Sequence, residues 1–305
     1  MNKKIIFSVI ALLVIGGGAW MMTKGTSTNK NNGTAAYCSP EGTLSETMPI
    51  QSHRSYCIKS ELQGNYSANS PSEYAFSIVD DQGNTLKGFE ITHTKPMHVI
   101  VVRNDLQNFQ HVHPEFDSSS GMFTLKDLNM PQEGVYRIFA DFAPRGGMQN
   151  GEGEPLPVTI SQDVRVGANA DSYSRKALGN EERNKTFDAV NVSFSTNEAP
   201  TSGKEVMLTF DLKQNNASLT DLQEYLGALG HTVILKEGTL DFIHGHPMTS
   251  TKQNGKVEFM VTFPEAGKYK VFTQFQRGGK VTTTDFVVSV AQGTESGSDS
   301  MNGME

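Results

Sequence analysis

The 305-residue sequence predicts an all-β protein: two tandem immunoglobulin-like antiparallel β-sandwich domains after an N-terminal transmembrane helix. Three observations predict it. One apolar run opens the chain, an internal repeat relates two later stretches at a shift of 133 residues, and short alternating strands recur in both copies.

Lys3 and Lys4 precede an apolar run from Ile5 to Met22. That is a charged segment followed by a stretch long enough to span a bilayer. Trp20, Met21 and Met22 stand where a cleavage site would need small residues, so residues 1–22 read as an uncleaved anchor. Gly16-Gly17-Gly18 weakens that helix and leaves a cleaved signal segment as the alternative. The two lysines would stay cytoplasmic. The expected location is therefore the cell envelope, membrane-anchored with the later part extracytoplasmic, or secreted if the segment is removed. Residues 23–36 are rich in Thr, Asn and Gly and read as a flexible tether. The first sandwich is expected over 37–167, a polar join over 168–186, the second sandwich over 187–291 and a disordered tail over 292–305.

The repeat is the most informative feature. His98–Phe142 lies on His231–Phe275 without a gap, and ten of the 45 aligned positions are identical. They include three histidines, His98/His231, His111/His244 and His113/His246, and the aromatic pairs Phe109/Phe242, Tyr136/Tyr269 and Phe139/Phe272. Arg-Gly-Gly follows each block, at Arg145 and Arg277. Within the blocks Met97–Val102 and His231–Leu235 are β-branched runs, and Gly134–Phe142 and Gly267–Phe275 alternate. Tyr136, Ile138 and Ala140 fall on one face of their strand, and Arg137, Phe139 and Asp141 on the other. Val158–Val166 and Thr283–Val290 supply a closing strand to each copy. Short strands in units of about 100 residues fit immunoglobulin-type sandwiches. One short helix is expected at Leu219–Tyr225.

Each copy carries His-x12-His-x-His-Pro, which takes up six of the eight histidines. In a strand, residues i and i+2 share a face, so His111 and His113 project together, as do His244 and His246. Twelve intervening residues allow a strand, a turn and a return, which can set His98 beside its pair and His231 beside the other. Three neutral imidazoles with an open position suit zinc or copper. Met97 and Met248 beside the histidines are possible accessory ligands, and thioethers favour copper, particularly Cu(I). The expected cofactor is a copper ion, with zinc the second choice. The competing reading makes the histidines corner-packing residues. Asp141 could add an oxygen ligand in copy one, but Gln274 replaces it in copy two, so Asp141 reads as structural. Cys38 and Cys57 precede the first repeat, and in an exported compartment they are expected to form a disulfide. Met48 and His53 between them offer an alternative soft site.

The blocks Met97-His98 through His111-Val-His113-Pro114-Glu115, Tyr225 through His231, and His244-Gly-His246-Pro247 resemble uncharacterised bacterial envelope proteins. Those proteins carry YtkA-like and related immunoglobulin-like or cupredoxin-like domains, often beside heavy-metal transport genes. The resemblance covers roughly residues 74–291 and implies a role in metal handling.

Two functions are expected from these readings. The first is an extracytoplasmic, membrane-tethered protein that buffers or delivers metal through His98, His111, His113, His231, His244 and His246. Its partners would be the cytoplasmic membrane and a metal transporter or acceptor protein. The second is an adhesion or protein-interaction module with structural histidines. A net charge of −7 without a Lys/Arg run argues against nucleic acid. An enzyme is disfavoured, since no nucleophile triad, metalloprotease helix or nucleotide loop is present. The nearest acid, Glu115, is Met248 in copy two. The absence of Cys from both repeated blocks, His98–Phe142 and His231–Phe275, argues against an electron-transfer copper centre.

Overall fold

The computed structural model describes residues 56–60, 66–151, 153–248 and 254–293, with His244 and His246 described by their backbone alone. The expected anchor, tether and tail, and Cys38, Met48 and His53, lie outside the described residues. Cys57, the expected disulfide partner of Cys38, sits half-buried on the first strand. Among the described residues there is no helix long and apolar enough to cross a membrane.

The described chain is built of β-strands. The first repeat holds β1 (Tyr56–Ser60), β2 (Ser72–Asp80), β3 (Phe89–Glu90), β4 (His98–Arg103), β5 (Gln110–Val112), β6 (Glu115–Asp117), β7 (Met122–Leu128), β8 (Gly134–Pro144) and β9 (Val158–Val166). The second holds β10 (Asn184–Phe187), β11 (Val190–Thr196), β12 (Glu205–Gln214), β13 (Ala217–Ser218), β14 (His231–Lys236), β15 (Phe242–Pro247), β16 (Lys256–Thr262), β17 (Gly267–Arg277) and β18 (Lys280–Val290). In the first repeat β1-β2-β7-β6 form one sheet, and β5-β4-β8, with β9 and β3 also paired to β8, form the other. That is the strand order of an immunoglobulin-type sandwich. Tyr74, Phe76 and Phe123 from one sheet meet Val99, Val101, Tyr136 and Ile138 from the other in a buried core. The second repeat has its own core around Phe210, Phe259, Tyr269 and Phe286.

The strand that crosses between sheets differs between copies. In repeat two β15 is continuous, pairing β14 at one end and β16 at the other. In repeat one the same stretch breaks at His113-Pro114 into β5, which pairs β4, and β6, which pairs β7. The equivalent Pro247 stays within β15, paired with Phe259, so the missing proline N–H does not by itself impose the break. His113 stands at the sheet-to-sheet corner.

Two sequence expectations need correction. Leu219–Tyr225 is not helical. Leu219 and Leu222 are buried in the second core, and Gln223 N–H donates to the Gln276 carbonyl at 2.8 Å. Their spacing of three suits a helix, but an extended segment serves both contacts. The gapless match also conceals two compensating one-residue shifts. Gly121 and Gly255 both adopt positive φ (82° and 76°), yet they are 134 residues apart. Copy one regains the residue at Asp127 (φ 56°), where the pairing of β2 with β7 slips between Ser72 and Tyr74. This is a β-bulge.

The face of β8 that bears Phe139 is also buried. Ile100, Val102 and Phe139 of repeat one pack against Val233, Leu235, Phe272 and Val287 of repeat two in a third apolar cluster. Its contacts come in pairs related by the 133-residue shift. Phe109 stacks on Phe272 at 4.1 Å, and the equivalent Phe242 meets Phe139 at 5.4 Å. Lys270 Nζ donates to the Leu106 carbonyl at 3.1 Å, and the equivalent Arg137 donates to the Thr239 carbonyl at 3.1 Å. If residue i of one copy meets j of the other, and the equivalents of j and i also meet, the copies are related by a pseudo-two-fold axis. The join residues are packed too: Leu178 enters this cluster, and its N–H donates to Glu237 Oε1 at 2.6 Å.

Candidate metal centre

Alternation along β4 decides the site. Val99 and Val101 point into the first core, so His98, Ile100 and Val102 point toward repeat two. Met97 precedes His98, faces the first core and is fully buried there. The expected thioether ligand of copy one is therefore on the wrong face. Met248, the other, lies just beyond β15 and is 46% exposed.

Ile100 pairs with His111 across the β4–β5 ladder, which carries His111 onto the same face as His98. The corner at Pro114 swings His113 back toward them. His98, His111 and His113 form a cluster whose ligand nitrogens lie within 4.8 Å of one another, with His98 buried and the others half-buried. His98 Nδ1 is 3.1 Å from His111 Nε2 and 3.1 Å from His113 Nε2. Two nitrogens bound at about 2.0–2.1 Å to one tetrahedral ion would be about 3.3 Å apart.

The outer ring nitrogens fix the tautomers. His98 Nε2 lies 3.0 Å from the Thr92 carbonyl oxygen, which can only accept, so Nε2 carries the hydrogen. His111 Nδ1 lies 2.7 Å from Gln274 Oε1 of repeat two, and Gln274 Nε2 donates to Thr283 Oγ1 at 3.1 Å. His111 Nδ1 is thus the donor. In neutral rings, His98 Nδ1 and His111 Nε2 then point two lone pairs at each other. Such a pair makes no hydrogen bond with itself; the His98 lone pair can accept from His113 Nε2–H at 3.1 Å, or both can bind a cation. Burial opposes protonation: it lowers the pKa of His98, lowers that of His111 well below the ordinary value, and pushes His113 down to about 3. The neighbouring imidazoles add to the lowering at His111 and His113.

The carbonyl of Thr92 is aimed by a two-residue turn. His93 and Thr94 both have positive φ (47° and 67°), and Thr92 and Lys95 exchange backbone hydrogen bonds of 3.0 Å. The same turn recurs 133 residues on, at Leu226 and Gly227 (φ 56° and 83°). Sequence comparison missed it because none of its four residues is identical. The turn also brings His93 to 5.9 Å from the His98 ring and 5.1 Å from His231. His93 and Gln274 were not anticipated near the centre. Only positive-φ turn chemistry hints at the first, and nothing local signals the second.

His231 is buried and lines a cavity of about 10 Å³ together with His98, His111, Asp141 and Phe242. His244 pairs with Val233 as His111 pairs with Ile100, so the backbone register of the second copy matches the first. The side chains of His244 and His246 lie outside the described residues, and among those described only the first triad forms a cluster of this kind. Asp141 accepts from Thr159 Oγ1 at 2.7 Å, and burial raises its pKa. On its other flank the triad opens through His113 to a cleft of about 340 Å³ lined by Gln110, Glu115, Thr124 and Lys126.

Fold and site together define a protein of two docked β-sandwich repeats with an imidazole cluster at their joint. A family model described as a domain of unknown function, DUF8832, matches residues 55–152 and again 185–292, and the chain belongs to this family. No curated protein matches it. Similar solved structures include the Escherichia coli adhesin FdeC, at 14% identity over 77% of this chain and 64% of that one, with a TM-score of 0.25. They also include the D00-D0 domain of intimin, at 12% identity over 76% and 99%, TM-score 0.22. Domains 5-6 of the S-layer protein SbsC match at 14% identity over 79% and 100%, TM-score 0.22. The chain thus spans 64% of the FdeC chain's length, and likenesses at these scores carry no functional weight.

Proposed function

We propose that this chain is an extracytoplasmic metal-binding protein that buffers or delivers a late first-row divalent ion, copper before zinc, through His98, His111 and His113. The observation that carries the reading is the convergence of His98, His111 and His113, whose ligand nitrogens lie within 4.8 Å of one another, with oxygens of Thr92 and Gln274 on the outer nitrogens of His98 and His111. Such outer hydrogen bonds are the usual means of orienting a ligating imidazole. An all-nitrogen donor set, with Met97 turned into the core, favours Cu(II) and Zn(II) over Cu(I). Copper comes first because it binds such donors more tightly. The cleft beside His113 offers a route for exchange with an acceptor. The charged, apolar N-terminus supports an envelope location, and the resemblance of the histidine blocks to YtkA-like domains supports a metal-handling role.

Metal counting tests the reading. The purified chain is loaded with Cu(II), Zn(II) or Cu(I), desalted and analysed. The expected result is at least one ion per chain, lost on replacing His111 and His113 together with alanine; a second ion, lost on replacing His244 and His246, would add the histidines of repeat two. A wild-type chain that retains no metal in any arm would establish the histidines as packing residues and favour an interaction module.

A further inference from the structure

We propose that the imidazole centre is a joint site of the two repeats: repeat one supplies the three ligands, and Gln274 of repeat two is the positioning residue that aims His111 at the ion. The inference rests on the metal-binding reading above. His111 Nδ1 donates to Gln274 Oε1 at 2.7 Å, across a sequence separation of 163 residues. The amide nitrogen of Gln274 donates to Thr283 Oγ1 on the neighbouring strand β18 at 3.1 Å, which leaves the oxygen facing His111. Gln274 is itself 7% exposed, so water is a poor substitute acceptor. With that oxygen removed, His111 loses the group that selects its Nδ1–H tautomer, and the lone pair on Nε2 is no longer enforced.

The placement comes from the pseudo-two-fold axis. Gln274 pairs with His231 on the sheet of repeat two as Asp141 pairs with His98 on the sheet of repeat one. Both residues lie on the docked faces. A sandwich folded alone would present His111 without its acceptor, so the centre is complete only when Phe109 lies on Phe272 and the strand carrying Gln274 is seated. Asp141, in the equivalent position, also shows that this place in the fold accepts an acidic side chain.

The test uses the full chain with Cu(II) and Zn(II) as probes in competition with a chromophoric chelator, and nitrogen NMR of the histidine rings in the metal-free protein. Gln274→Ala is expected to weaken binding by about 10–100-fold, the usual loss for such outer partners, and to convert His111 from one tautomer to a mixture. Gln274→Glu keeps an acceptor oxygen and is expected to restore both the affinity and the single Nδ1–H tautomer, which a purely structural role for the amide would not predict. Thermal melts identify any variant that is not folded, and the glutamate variant then decides the matter alone. Wild-type affinity and an unchanged His111 tautomer in Gln274→Ala would overturn the joint site while leaving the metal reading intact. Failure of the wild-type chain to bind either ion would overturn both.

Discussion

Replacing Phe272 with alanine probes the docking of the repeats directly. Phe272 is 4% exposed and stacks on Phe109 with ring centroids 4.1 Å apart and planes 10° apart. Lys270 lies 5.1 Å from its ring while reaching the Leu106 carbonyl. A buried Phe→Ala change costs about 3–5 kcal/mol, and the aromatic pair contributes about 0.5–1.5 kcal/mol of specific geometry. We expect a loss of about 4 kcal/mol in urea unfolding followed by circular dichroism. The equivalent change, Phe139→Ala, should fall at the lower end, because its partner Phe242 is tilted by 39° at 5.4 Å. If the repeats were independent beads, Phe272 would lie on an exposed sheet face. Surface substitutions usually change stability by less than about 0.5 kcal/mol. A measured loss below about 1 kcal/mol would therefore refute the docked arrangement.

Two further expectations concern the joint and the site. Asp105 is buried and ion-paired with Arg103 at 2.8 Å, and it also accepts from the N–H of Lys176 in the join. Burial raises its pKa, but the bonds from Arg103 and Lys176 outweigh burial and hold it below the ordinary value. A depressed folded pKa gives stability that is present above the unfolded value of about 3.9 and is lost as pH falls through the folded value. Asp105→Asn should cost about 3–5 kcal/mol at neutral pH and flatten the acid limb of the stability curve below about pH 4; an unchanged limb would show that the pair is not the source. Met97→Leu should leave Cu(II) and Zn(II) retention at the wild-type level and cost under about 1.5 kcal/mol, as volume-conserving core changes do; loss of metal in this variant would put the sulfur back at the centre.

Much of the fold was legible because its signals are local and repeated. Alternation in Gly134–Phe142 and the β-branched run at His98 specify strands whatever lies beyond them, and ten identities at one shift reveal the duplication. The histidine spacing was legible for the same reason, since residues two apart share a face. Leu219–Tyr225 misled because a spacing of three is common to a helix and to an extended segment anchored at both leucines. Met97 misled because adjacency along the chain puts neighbours on opposite faces, as Met97 and His98 are.

What the sequence determined by itself is the all-β class, the two copies and the set of imidazoles. What only the tertiary structure decided is where the centre sits and what completes it. Phe139 and Phe272 read as outward-facing residues until the sheets meet face to face. The groups that fix the tautomers, the Thr92 carbonyl and the Gln274 amide, are a backbone atom and a residue 163 positions from its partner. Neither carries a motif, because a hydrogen-bond acceptor is defined by where it stands, and the docking of two sheets across a pseudo-two-fold axis sets that position.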